Sequence, residues 1–155
     1  YNIVIGGAAG AFPPLIGWLS VTNSLDILPL LMFLIIFMWT PPHFWALSIH
    51  CLKDYKSAGF PMLPVISGVK KTKEQIVIYS FLMFLITLLP FFLGYFGIFY
   101  LLTSIILGLY FIYHSFKVYL DKSNKDKPIK MFLYSIFYLY ILFLSMIIDH
   151  LNLFA

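Results

Sequence analysis

Polar side chains inside hydrophobic blocks are costly and are kept for a reason, so they are the first place to look for chemistry in an apolar chain. The block ILPLLMFLIIFMWTPPHFWALSIHCL at 27–52 carries the most telling set. On a helix turning about 100° per residue, His43, His50 and the following Asp54 stand at offsets of 0, 7 and 11. Those offsets put His50 and Asp54 each within roughly 20° of His43, so the three residues form one stripe. Trp39, one turn earlier, extends the stripe toward the membrane centre. Pro41 and Pro42 interrupt the backbone at its start, and from His43 onward the helix is expected to be regular. A polar row leading from mid-membrane to a loop, facing a bundle interior, is what an intramembrane site needs. The same spacing also suits His50 and Asp54 as interfacial residues, with His43 bonded to a backbone carbonyl freed at the kink. Spacing does not separate these two readings.

The segment after the stripe is KDYKSAGFPMLPVISGVKK, at 53–71. Its Asp54 lies beside Lys53 and Lys56, and a carboxylate there could hold Mg²⁺ bridged to a diphosphate, since that ion favours oxygen ligands and substrate phosphates. The lysines would offset the remaining phosphate charge. Taken alone, the segment reads more simply as an interfacial stretch with charge anchors. His114 with Lys117, and Asp149 with His150, close apolar blocks and read as interfacial. Most Phe and Tyr residues read as lipid-facing bulk and interfacial belts; a few facing inward could stabilise an allylic cation through their ring faces. Cys51 is the single cysteine, so an internal disulfide and a paired-cysteine metal site are excluded.

The elements that must position these residues follow from composition. Apolar residues make up 62% of the 155 and charged residues only 10%, against about 25% charged in a soluble domain. The apolar residues fall in blocks long enough to cross a bilayer, which takes roughly 20 residues per helix. The predicted fold is all-α: a polytopic transmembrane bundle with spans at 3–22, 27–52, 76–94, 98–116 and 132–148. The first span is rich in glycine and alanine, which allow close helix approach, and Pro13–Pro14 bends or breaks it. All ten basic residues are lysines, and they cluster in the connections 53–75 and 117–131. Both clusters then lie on one side, as cytoplasmic loops do, with the start of the chain inside and its end outside. This placement, rather than the net charge of +4, sets the partner: a lipid bilayer, not nucleic acid. The chain opens at Tyr1, with neither a methionine nor a basic leader, and is expected to be a piece of a longer protein.

Three blocks together, GGAAGAFPPLIGW at 6–18, WTPPHFWALSI at 39–49 and DYKSAGFPMLPV at 54–65, resemble the protohaem IX farnesyltransferases, or haem O synthases. That family lies within the UbiA-type superfamily of intramembrane prenyltransferases. The blocks cover about the first 65 residues in the expected order; the later spans agree in number and polarity rather than by motif. The resemblance implies a nine-helix bundle of which these are the last five spans, forming the C-terminal part of one prenyltransferase domain. Its site would open to the cytoplasmic face, where two aspartate motifs hold Mg²⁺ and a prenyl diphosphate. Asp54 matches the leading aspartate of the second motif. Ala58 stands where many members of the superfamily carry another aspartate, a departure that suits the haem branch. The first motif, of NxxxDxxxD type, does not occur in this sequence, so residues 1–155 alone are expected to be inactive.

The implied reaction is transfer of a farnesyl group from farnesyl diphosphate to a vinyl group of haem B, giving haem O on the way to the haem A of terminal oxidases. For that reaction Asp54, matching the motif, is read as the catalytic metal ligand, direct or through water. Lys53 and Lys56 are placed near the diphosphate, and His43, with Trp39 and His50, facing haem, His43 as an iron ligand or a propionate partner. Haem A synthase and oxidase assembly proteins are the implied protein partners. Two other readings are a UbiA-type enzyme acting on a quinone or chlorophyll precursor, and a transporter or non-catalytic membrane subunit. Lysine without arginine, with abundant Ile, Phe and Tyr, suggests an AT-rich genome and thus a bacterial plasma membrane before a mitochondrial inner membrane.

Overall fold

The structure, a computed structural model, describes residues 2–151. Its elements are α1 (Asn2–Ala11), α2 (Pro13–Thr22), α3 (Ile27–His50), α4 (Leu52–Ser57), α5 (Leu63–Ile66), α6 (Val69–Phe92), α7 (Ile98–Leu120) and α8 (Asp126–His150). Among the described residues there is no strand. Among the described residues five stretches are long and apolar enough to cross a bilayer: Ile3–Thr22, which takes in α1 and α2, and the four long helices α3, α6, α7 and α8.

The two proline pairs behave differently. Pro13 and Pro14 carry no N–H, so two successive rungs of the ladder are missing. The chain breaks between α1 and α2, and the ladder resumes with Ile16 N donating to Phe12 O at 3.0 Å. Pro41 and Pro42 sit inside α3, both buried, and α3 continues through them to His50. Transmembrane helices tolerate such prolines where neighbouring helices pack around the altered backbone, and α3 is the element with the most neighbours.

The helices also run past the apolar blocks. Helix α6 starts at Val69 rather than 76, α7 runs on to Leu120, and α8 begins at Asp126. Hydropathy marks only the apolar part of a span, whereas lysine is a good helix former and extends each helix past the hydrocarbon boundary. The connection expected at 117–131 therefore shrinks to residues 121–125. There the Asp121 carboxylate accepts from the Ser123 and Asn124 amides at 3.2 and 2.9 Å, and Asn124 takes a left-handed φ of 58°. The connection at 53–75 is largely helical, holding α4, α5 and the first turns of α6.

Helices α3, α6, α7 and α8 form a closed ring: α3 packs on α6 and α8, α6 on α7, and α7 on α8. Helices α1 and α2 lie against α3. The ring's core is Ile35, Ile76, Met83, Tyr100, Phe111 and Tyr138, all at 0% exposure. Interhelical hydrogen bonds fix its register, with Tyr100 OH donating to Thr87 O and Tyr134 OH to Leu107 O, both at 2.7 Å. Two glycines set helix spacing. A Cβ on Gly7 would fall 2.9 Å from Thr40 Cγ2, and one on Gly108 would fall 2.2 Å from the Phe84 ring. At the end away from the lysines, Asp149 accepts from the Gly97 and Tyr100 amides, filling donors that the first turn of α7 leaves open.

Candidate functional site

The polar row of α3 faces α8. The His43 ring is stacked between Trp39, with centroids 4.2 Å apart, and Phe132, at 4.4 Å. Its Nδ1 lies 2.5 Å from Ser135 Oγ. The Ser135 hydroxyl has one proton and donates it to Phe132 O, also at 2.5 Å, so toward His43 it accepts. Nδ1 therefore carries the ring hydrogen and Nε2 the lone pair. Trp39 Nε1 donates to Ser135 O at 2.8 Å, so both side chains of the row converge on one residue of α8. His50, seven residues on, keeps the same direction: its Nδ1 is 2.9 Å from Lys125 O, just before α8 begins. Of the two readings the spacing left open, His43 thus takes a hydroxyl of the next helix rather than a carbonyl freed at the prolines.

Asp54 leaves the row. At Cys51 ψ swings to 27°, far from the roughly −42° of a helix, and α4 starts from there in a new direction. The expectation of regular phase from His43 to Asp54 fails at this residue. Lys53, Asp54 and Lys56 are all exposed on α4. The Asp54 carbonyl is used locally, accepting from Ala58 N at 3.0 Å and Ser57 Oγ at 2.9 Å. Among the described residues its carboxylate has no hydrogen-bond donor, and no group of three or more His, Cys, Asp or Glu side chains is close enough to hold a metal ion. A protein-only magnesium site is therefore not built here. A single free carboxylate fits the other arrangement, in which Mg²⁺ is held by one or two carboxylates together with substrate phosphates.

The apolar stretch after α4 folds back as a cover. Gly59 takes φ 65°, a conformation that suits glycine, and Phe60 N closes the turn onto Tyr55 O at 3.0 Å. Met62 and Pro64 are buried, and α5 rests on α3 and α6. Beneath it is a cavity of about 400 Å³. Val4, Met62, Leu63 and Ile66 supply apolar wall, and Trp45, Lys71, Gln75 and Tyr79 also line it. Lys71, Gln75 and Tyr79 recur every four residues, so one face of α6 carries charge, then amide, then phenol from the helix end inward over about 12 Å. Tyr79 meets Trp45 edge to face at 5.2 Å.

The structure thus separates the candidates into two sets. Trp39, His43 and His50 are brought together against α8; Lys53, Asp54 and Lys56 sit on α4; and none of the six lines the cavity under α5. Trp39 borders two further apolar grooves, one with Ile136, Leu139 and Tyr140 of α8 and one with Gly6, Gly7 and Phe44. Ser135 and the cavity residues Lys71, Gln75 and Tyr79 were not anticipated. The four-residue spacing 71, 75, 79 is the available signal, hidden where hydropathy predicts a loop up to residue 75.

Comparison with known proteins gives the same direction. The UbiA prenyltransferase family matches residues 1–142. A protoheme IX farnesyltransferase of Neorickettsia sennetsu is 52% identical over 148 residues, 96% of this chain and 48% of that protein. One from Rickettsia bellii is 52% identical over 143 residues, covering 92% and 48%; one from Gluconobacter oxydans is 48% identical over 156 residues, covering 96% and 49%. The chain spans about half the length of these curated relatives. No solved structure matches it. With the family matched from the glycine-rich first span into the last helix, and five apolar helices around an inward polar row, the chain is part of an integral membrane protein and belongs to the UbiA prenyltransferase family.

Proposed function

We propose that this chain forms the last five spans of a nine-span prenyltransferase that moves a farnesyl group from farnesyl diphosphate to a vinyl group of haem B, giving haem O. The observation that carries the reading is the cavity under α5. Its apolar wall suits an isoprenoid chain, its volume of about 400 Å³ lies within the range of small-molecule sites, and Lys71 stands where the row on α6 begins. The related proteins, named protoheme IX farnesyltransferases, carry the same reaction class and acceptor in their names.

In this reading Lys53 and Lys56 on α4, with Lys71, draw the diphosphate to the lysine-bearing end, and Asp54 holds the Mg²⁺ that the diphosphate brings. When bound, that ion neutralises charge growing on the leaving group. Cover by α5 excludes water as the allylic C–O bond breaks with its electron pair going to diphosphate. The vinyl π electrons of haem then form the new carbon–carbon bond, and the cation left on the vinyl carbon next to the ring takes up a water and loses a proton, giving the hydroxyalkyl group of haem O. Trp39 presents a ring to an apolar porphyrin in the grooves beside α3. His43 stands behind Trp39 with its tautomer set by Ser135, and His50 marks the lysine-bearing end of the same face. The lysine-bearing end is cytoplasmic, in a bacterial plasma membrane, so the chain enters from inside and ends outside.

The test is mass spectrometry of haem recovered from membranes containing the complete nine-span protein, incubated with farnesyl diphosphate, haem B and Mg²⁺. A farnesylated haem that disappears in Asp54→Asn, with normal protein levels, is the expected result. Prenylation of a quinone precursor in place of haem would overturn the choice of acceptor. Absence of any prenyl diphosphate binding would overturn the enzyme reading and favour a non-catalytic membrane subunit.

A further inference from the structure

On the outer side of α7 and α8, away from α3, two matching rows face each other. Tyr110, Tyr113, His114 and Lys117 are spaced so that they share one face of α7, within an arc of about 100°. Lys127, Lys130 and Tyr134 share one face of α8 in the same way. The rows touch: Tyr134 stacks on His114 at 5.1 Å and meets Tyr110 edge to face at 4.8 Å. Because the helices run antiparallel, Lys117 lies about 4.5 Å beyond His114, and Lys130 about 6 Å beyond Tyr134, both toward the lysine-bearing end. Lys117 Nζ sits 4.2 Å over the Tyr113 ring, and the charges of Lys117, Lys127 and Lys130 all reach the His114 ring.

The result is a cationic rim above an aromatic floor, with Tyr110 and Tyr113 49% and 47% exposed. The rim is short of counter-charge. Asp126, four residues before Lys130, is the one acid beside it, and Asp121 is engaged by Ser123 and the Asn124 amide. Among the described residues none of the three lysines forms an ion pair with a carboxylate.

We propose that this surface binds the headgroup of an anionic glycerophospholipid, its phosphate held by Lys117, Lys127 and Lys130 and its acyl chains lying over the Tyr110–Tyr113–Tyr134 floor. Charge complementarity selects the occupant. A membrane leaflet offers phosphate at the height of the rim and hydrocarbon at the height of the floor, and each basic residue near an anionic leaflet adds roughly fivefold to binding. The site is separate from the cavity under α5 and does not depend on prenyl transfer.

Native mass spectrometry of the detergent-solubilised protein tests it, with phosphatidylglycerol, phosphatidylethanolamine and inorganic phosphate as separate probes. Phosphatidylglycerol is expected to be retained over phosphatidylethanolamine. The variant carrying Lys117→Gln, Lys127→Gln and Lys130→Gln should lose that retention by on the order of a hundredfold, and Lys117→Gln alone by about fivefold. The variant carrying Lys53→Gln, Lys56→Gln and Lys70→Gln removes as many charges from the same end but from α4 and α6, and should keep the lipid. Circular dichroism checks that each variant is folded, and the single variant carries the test if the triple one is not. Equal loss in both triple variants, equal retention of the two lipids, or displacement of phosphatidylglycerol by inorganic phosphate would each overturn the proposal.

Discussion

Ser135 of α8 holds the ring of His43 through its hydroxyl, 2.5 Å from Nδ1, while its carbonyl takes the indole N–H of Trp39 at 2.8 Å. One residue thus orients two aromatic side chains of α3 across the helix interface. His43 is only 6% exposed, so its N–H finds no water if the hydroxyl is removed. Ser135→Ala is expected to destabilise the bundle by about 1–3 kcal/mol, the cost of leaving a buried donor unpaired, and Ser135→Thr to restore most of it. Thermal unfolding in detergent, followed by circular dichroism, measures this. An unchanged midpoint for Ser135→Ala would mean that the hydroxyl does not hold the ring.

Lys71 begins the face of α6 that lines the cavity under α5. A charge-assisted hydrogen bond to a phosphate contributes about 1.5–3 kcal/mol. In the complete enzyme proposed above, Lys71→Met is therefore expected to raise KM for the prenyl diphosphate by at least about tenfold, with helical content unchanged because Lys71 is exposed. Steady-state kinetics with the diphosphate varied is the measurement. A fall in kcat at constant KM would place Lys71 away from the bound diphosphate.

Much of this arrangement was legible in the residues. Apolar blocks marked the five spanning stretches, because a spanning helix must be apolar over the hydrocarbon thickness whatever its neighbours. The spacing of Trp39, His43 and His50 put them on one face, and all three reach α8 or the turn before it. Asp54 was beyond that logic: periodicity assumes an unbroken helix, and one backbone angle at Cys51 redirects the chain. Ser135 was equally hidden. Ser48, Ser80, Ser104, Ser115 and Ser145 are buried too, and each returns its hydroxyl to a carbonyl of its own helix. Only the meeting of α3 with α8 makes Ser135 different, and composition does not encode which helices meet.

The contact between α6 and α7 offers a test of the ring itself. A Cβ at Gly108 would lie 2.2 and 2.8 Å from two atoms of the Phe84 ring, closer than carbon atoms approach. Gly108→Ala is expected to destabilise by about 1–3 kcal/mol through overpacking, even though alanine is the better helix former. Phe84→Leu in the same chain should recover part of the loss by vacating the space. Additive effects of the two changes, read from thermal midpoints in one detergent, would show that α6 and α7 do not meet at this pair.

The turn between α7 and α8 should give the bundle an acid-sensitive component. Partial burial raises the Asp121 carboxyl, but hydrogen bonds from Ser123 and from the Ser123 and Asn124 amides, with the charge of Lys73, outweigh it and hold the group below the ordinary carboxylate value. Lys73 also donates its ammonium to Asp121 O, so the same turn is tied to α6. A folded-state value below the unfolded one means that ionised Asp121 stabilises the fold above the unfolded carboxylate pKa of about 4, and that this contribution fades as pH falls through the lower, folded value. The thermal midpoint should therefore drop between about pH 5 and pH 3 in the unaltered protein. Asp121→Asn should start lower at neutral pH and lose less over that interval. Parallel pH profiles for the two would show that the carboxylate does not contribute in this way.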